Sequence, residues 1–320
     1  MARPLNGSRI GRTDLLILLV IVLWAVNLSV IKIGLRSLSP HGFNAIRLGL
    51  AALAYAAILI ARPRARRLAK KGDGWKAAGL GLLGITFYQV FFIKAVSIMD
   101  ASTASIVMGT SPIFIALLAT AVGEERISIA GWTGIGISFA GFLLVVAGEN
   151  GGLVFTWEAW RGAVLILLAN ISWAGYTVFS KPVLDRNSAF RLAAVGTIAG
   201  TLVYLPFAAR DLAKVAWAQI SWQAWGAILY SGLVAIFLCF VIWYESVKEV
   251  GSAKTGVYSN LSPILTIFFA SLVLGERLAA VQAVGAAITL AGVYLTRSGY
   301  RFFERKTKPQ PGTDTRRRPA

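Results

Sequence analysis

Ser111-Pro112-Ile113 returns as Ser262-Pro263-Ile264, 151 positions later in a chain of 320 residues. At the same offset Glu125-Arg126 returns as Glu276-Arg277, Gly134 as Gly285, and Ala140-Gly141 as Ala291-Gly292. Upstream, at an offset of 149, Trp24-Ala25 and Lys32 return as Trp173-Ala174 and Lys181. The chain is a duplication. The number of membrane spans in each copy then decides whether the halves run parallel or antiparallel.

Hydrophobic residues make up 57% of the chain and charged residues only 14%, against about a quarter charged in soluble domains. The formal net charge is +18, yet the basic residues gather in short segments between apolar runs. That is the pattern of membrane topology signals rather than of a nucleic-acid-binding face. Cys239 is the one cysteine and lies in an apolar run, which leaves neither an intramolecular disulfide nor a cysteine-based metal site. His41, the one histidine, follows Pro40 at a helix start and reads as a polar interfacial residue. No G-x-x-x-x-G-K-[ST] motif occurs, so ATP drive would need another subunit, and no cofactor or metal is expected.

A span needs about 20 apolar residues. Ten segments qualify, near 14–35, 41–61, 77–98, 102–122, 128–148, 162–182, 190–209, 223–247, 252–274 and 279–297. The separators at Asp100 and between Leu274 and Leu278 are short, but a run continued across either would far exceed a bilayer. The apolar run after Asp14 is too long for a signal-peptide core and reads as a retained first span. Five spans per copy is an odd number, so the copies are inverted. The fold class is an all-α polytopic membrane protein with ten transmembrane helices as two inverted five-helix repeats, 14–148 and 162–299. A short N-terminus (1–13), a linker (149–161) and a basic tail (300–320) complete the chain. The tail is expected to be disordered and to lie near anionic lipid headgroups.

Counting Lys and Arg between spans assigns 23 to the side that holds both termini and five to the other. That asymmetry predicts both termini in the cytoplasm and a multi-pass protein of the cytoplasmic membrane. Gly79-Leu80-Gly81-Leu82-Leu83-Gly84 fits the dinucleotide fingerprint G-x-G-x-x-G. It lies inside an apolar span, however, where small residues serve close helix packing. Gly196 and Gly200, and Gly134, Ser138 and Gly141, carry the same reading.

The repeated motifs resemble those of the drug/metabolite transporter superfamily, in particular its EamA-type ten-helix members. The matching residues are Trp24, Ala25, Lys32, Arg47, Ser111, Pro112, Glu125 and Gly141 in the first repeat. In the second they are Trp173, Ala174, Lys181, Ser262, Pro263, Glu276 and Gly292. Arg47 has no counterpart, since the aligned region near Gly196 to Ile198 is apolar. The resemblance covers about residues 14–297. It implies a secondary transporter that exports amino acids or related metabolites by alternating access, with import of a vitamin or nucleotide-like solute as the alternative. An intramembrane enzyme would need paired carboxylates, a His cluster or an activated nucleophile within the spans.

Pro112 and Pro263 each remove a helix hydrogen bond and are candidate hinges. Trp24, Asn27, Tyr88, Gln89, Asn170, Trp173, Tyr176, Trp243, Tyr258 and Asn260 fall in spans and are the expected cavity residues, because buried amides and phenols need partners in hydrocarbon. Asn27 and Tyr176 each follow their Trp by three residues, one helical turn. A central charge costs about 2.5–3.5 kcal/mol on insertion scales. Lys32 and Lys181 are expected to snorkel, whereas Arg47, deeper, is a gating or coupling candidate. Lys94 and Glu245 match at the 151 offset but should lie near opposite faces. Each is a gate candidate, Glu245 also the candidate for proton coupling. A small-molecule substrate and membrane lipid are the expected partners; a monomer and a homodimer both remain open.

Overall fold

The computed structural model describes residues 11–62, 70, 72–122, 128–148, 156–250, 255 and 258–304. Among the described residues a helix falls within each expected span; eight are long and apolar enough to cross a membrane, and Ser259–Leu274 and the apolar part of the last helix are shorter. The first repeat holds α1 (Arg12–Gly34), α2 (Pro40–Ala61), α3 (Asp73–Ile98), α4 (Ala101–Ala121) and α5 (Ile129–Ala147). The second holds α6 (Trp157–Leu184), α7 (Ala189–Ala213), α8 (Trp222–Glu249), α9 (Ser259–Leu274) and α10 (Ala280–Glu304). Residues 300–304, expected in the disordered tail, continue the last helix, whereas Glu125, Arg126, residues 149–155 and the tail from 305 lie outside the described residues. Helix α6 starts at Trp157, within the stretch read as linker, because the Thr156 hydroxyl accepts from Ala159 N and caps it. The two short separators are real breaks: the backbone is extended at Met99 and Asp100, and Gly275 takes φ +70° after α9, a conformation that favours glycine.

The repeats interlock as a pseudo-two-fold requires. Helix α1 packs on α9 and α6 on α4; α3 lies against α6 and α7, and α8 against α1 and α2. At one flank α5 and α10 form the closest pairing. A Cβ on Gly141 would lie 2.6 Å from Gly285 O, one on Gly285 would lie 2.8 Å from Gly141 O, and one on Gly292 would lie 2.3 Å from Ser138 N. In hydrocarbon, helices associate through such close packing rather than through the hydrophobic effect. The repeated glycines are therefore contact points between the copies. Exposed apolar residues such as Leu53, Ile60 and Leu272 cover the outer flanks. Trp75, Trp157 and Trp222, all exposed near helix ends, suit the membrane interfaces.

The fingerprint-like glycines do not form a nucleotide loop. A Cβ on Gly81 would lie 2.1 Å from Gly196 O, and one on Gly84 would meet the Tyr176 ring at 2.3 Å. Gly79 has nothing within 4 Å. The symmetric contact sits between α8 and α2, where a Cβ on Gly232 would lie 2.8 Å from Arg47 O. Arg47 and Gly196 thus occupy equivalent places in the two repeats.

Candidate functional site

Helix α4 stops at Met108 and restarts at Ser111. Pro112 has no N–H for the carbonyl one turn back, and its ring crowds that carbonyl. Pro263 acts the same way in α9, where a 3₁₀ turn, Ser259–Leu261, precedes the α-helix from Ser262. Both prolines sit in the first turn of the restarted half rather than inside a continuous helix, and the two breaks meet. A Cβ on Gly109 would lie 3.0 Å from Pro263 Cγ. Asn170 Nδ2 donates to Val107 O (3.2 Å) and to Thr110 Oγ1 (3.1 Å), which ties α6 to the interruption.

Two further irregularities were not legible in the sequence. Leu82–Phe87 in α3 and Tyr230–Leu238 in α8 are π-helical and overlap at the repeat offset. Such a widened turn misaligns carbonyls from their in-helix donors. Trp24 Nε1 donates to Ala235 O at 2.8 Å, and Tyr55 Oη to Phe237 O at 2.7 Å. The Trp of the repeated Trp-Ala motif in α1 therefore docks on the distorted turn of α8.

Between these features lies a cavity of about 110 Å³. That is room for several waters or one small solute. Both repeats line it. Trp24, Asn27, Tyr88, Gln89, Asn170 and Trp173, all expected from the sequence, reach it, and Arg47 joins them. Serines at the helix breaks (Ser111, Ser259 and Ser262) and the rings of Phe92 and Phe240 complete the polar and aromatic wall. The aromatic side is continuous: Trp24 and Trp173 meet edge to face at 5.8 Å, Tyr88 lies 5.3 Å from Trp173, and Phe240 lies 5.9 Å from Trp173.

Four expected cavity residues lie behind or beside the wall. Trp243, buried, backs Trp24 at 5.2 Å. Tyr176 backs Trp173 at 5.3 Å and leaves the matching Asn27 alone in the lining. Tyr258 donates to Asp14 at 2.5 Å, toward the end of α1 that bears the N-terminus. Asn260 Oδ1 is buried with no hydrogen-bond partner among the described residues, beside the lining Ser259. Lys94 and Glu245 are not among the lining residues; Glu245 is exposed on the flank of α8. Sequence periodicity missed Ser105, Met108 and Phe92, because spans apolar on all sides carry no marked inner face.

Replacing Trp24 or Trp173 with alanine should weaken solute binding with membrane insertion intact. Each lost aromatic contact is worth about 1 kcal/mol, roughly fivefold in affinity. Vesicle uptake unchanged in both variants would remove these rings from the binding site.

The face opposite the basic one carries a cross-repeat clamp. Glu276, between α9 and α10, accepts from Ala101 N (2.9 Å), Ser102 N (2.9 Å) and Ser102 Oγ (2.7 Å) at the start of α4. Gln282 Nε2 adds a bond to Thr103 Oγ1 at 2.8 Å. On the basic face Arg186 pairs with Asp73 at 3.0 Å, and Asn187 Nδ2 donates to the same carboxylate at 2.8 Å.

Partial burial raises the Asp100 carboxyl from its ordinary value, with the Glu276 charge reinforcing the shift and Lys32 opposing it. The folded protein therefore binds that proton more tightly than the unfolded chain. The resulting contribution to stability is full at low pH and fades as pH rises through the raised value. Asp100→Asn should melt slightly above the parent at neutral pH, with the difference closing toward about pH 4. The effect is small because Asp100 is exposed. Parallel melting curves that keep a constant offset across pH would refute this.

Eight span-length apolar helices and two shorter ones among the described residues, in interlocked copies with two interrupted helices crossing beside a cavity, define a multi-pass membrane transporter. The chain belongs to the EamA-like transporter family, whose profile matches residues 11–147 and 160–298, one match per repeat. It is 32% identical to an uncharacterized transporter of Archaeoglobus fulgidus, over 89% of this chain and 97% of the relative. It is 28% identical to a probable amino-acid metabolite efflux pump of Salmonella typhimurium, over 89% of this chain and 95% of that one. A probable terminal-alkyne amino-acid exporter of Streptantibioticus cattleyicolor is 29% identical, over 87% and 91%. One solved crystal structure shares the fold, with a TM-score of 0.68 and 18% identity over 92% of this chain and 99% of that one.

Proposed function

We propose that the protein is a secondary carrier that exports amino acids or closely related metabolites across the cytoplasmic membrane, with its basic face in the cytoplasm. The observation that carries this reading is the crossing of α4 and α9 at their breaks, beside a cavity lined from both repeats. Inverted copies around one site can exchange conformations, so that the contacts at Glu276 and those at Asp73 break in turn and expose the site to each face alternately. The cavity holds amide, hydroxyl and aromatic groups, which suits a small amphipathic solute rather than a large or strongly hydrated one. The two relatives named for amino-acid substrates support the same class.

The test is counterflow in vesicles preloaded with unlabelled solute, run separately for the protein amino acids, for vitamins and for nucleotides, with and without a pH gradient. Saturable exchange of one or more amino acids is the expected result. Exchange confined to vitamins or nucleotides would overturn the substrate class, and ohmic current in a planar bilayer would overturn the carrier.

A further inference from the structure

We infer that Arg47 is the anion-recognition residue of the cavity and that the transported solute carries a carboxylate, which the guanidinium binds. The inference rests on the carrier reading above and narrows it to acids. Arg47 is only 1% exposed, yet it lines the cavity. Its Nε donates to Asn44 Oδ1 and its Nη2 to Gln89 Oε1, both at 2.7 Å. The Phe43 and Phe92 rings lie 5.7 and 5.9 Å from its Cζ. A guanidinium has five N–H donors, and these neutral acceptors occupy two of them. Neither acceptor is charged, and Arg47 makes no ion pair among the described residues. Among the described residues no Asp or Glu lines the cavity.

An arginine stays protonated at any physiological pH, and a charge buried at membrane depth is kept where it meets a partner or a wet cavity. The spare donors suit a bidentate carboxylate. The restarted halves of α4 and α9 reinforce this, since both begin beside the cavity, at Ser111 and Ser262. Their N-terminal ends add positive potential, and Ser111 Oγ is buried with no partner among the described residues. The site is also asymmetric. The position equivalent to Arg47 is Gly196, which the backbone of α3 covers at Gly81. One acid group is therefore bound from the α2 side, and the rest of the solute faces Trp24 and Trp173.

The probes are four molecules of one skeleton: L-leucine, 4-methylpentanoate, L-leucinamide and isoamylamine, with nicotinate and pantothenate as acids of other skeletons. Each is tested for saturable quenching of tryptophan fluorescence in the purified protein, then for counterflow. Acids should bind, and the amide and amine should bind at least tenfold more weakly. Arg47→Gln should abolish acid binding, and Arg47→Lys should retain it about tenfold weaker, with both variants eluting as the parent does in size exclusion. Equal binding of L-leucinamide and L-leucine would overturn the proposal while leaving the exporter reading intact. Binding of nicotinate or pantothenate without L-leucine would keep the carboxylate rule and overturn the exporter reading. Acid binding that survives in a folded Arg47→Gln protein would overturn the assignment. Should Arg47→Gln fail to fold, preference for the amide over the acid in the parent protein alone would decide against it.

Discussion

Gly81→Leu is expected to abolish accumulation of folded protein, while Gly79→Leu, two residues away in the same motif, leaves it close to the parent. Gly81 lies where α3 crosses α7. A Cβ there would sit 2.1 Å from Gly196 O and 2.8 Å from Gly196 C. Backbone on both sides leaves no side chain able to move aside. Overpacking in a well-packed core costs about 1–3 kcal/mol, and a backbone clash belongs at or beyond the top of that range. Thr86 Oγ1 also donates to Gly200 O at 2.7 Å across this crossing, so a displaced helix loses a buried hydrogen bond. Gly79 has nothing within 4 Å, and leucine is the better helix former. Fluorescence-detected size exclusion of the two variants checks the contrast. A monodisperse Gly81→Leu peak at parental yield would show that the crossing has slack.

Glu276→Ala is expected to release the clamp on the face opposite the basic one and to expose the cavity there. The carboxylate satisfies two free N–H groups at the start of α4 and the Ser102 hydroxyl. Hydrogen bonds to a charged group contribute about 1.5–3 kcal/mol each. Much of that is recovered from water on opening, and a net loss of about 2 kcal/mol shifts the open-to-closed ratio roughly 30-fold. Met108 lines the cavity and serves as the reporter, replaced by cysteine in a Cys239→Ser background. Alkylation by a membrane-impermeant maleimide, applied from the Glu276 side of oriented vesicles, should accelerate by that factor. Glu276→Gln should fall between, because one acceptor oxygen remains without the charge. An unchanged rate in Glu276→Ala would mean that apolar packing between α4 and α9 closes this face by itself.

Parts of the site were legible in the letters for definite physical reasons. Trp24 and Trp173 stood out because a tryptophan near mid-span is ill placed as an interfacial anchor, and both line the cavity. Pro112 and Pro263 were legible because proline lacks the helix donor, and helix interruptions lie beside both. Tyr176 and Trp243 were expected in the wall and lie behind it. An aromatic side chain in an all-apolar span fits one layer as well as the next. Glu276 was visible as a repeated letter, but its bond to the start of α4 joins residues more than 170 positions apart. Nothing local announces such a contact.

The sequence by itself determined the duplication, the ten spans, the odd count that inverts the copies, and the family resemblance, because each rests on composition or spacing along one chain. The tertiary structure decided which way each helix faces. Arg47 turns into the cavity because α8 lies against the backbone of α2 at Gly232 and because Gln89 from α3 receives its guanidinium. A span apolar all round carries no moment to set its rotation, so only packing against its neighbours made that choice.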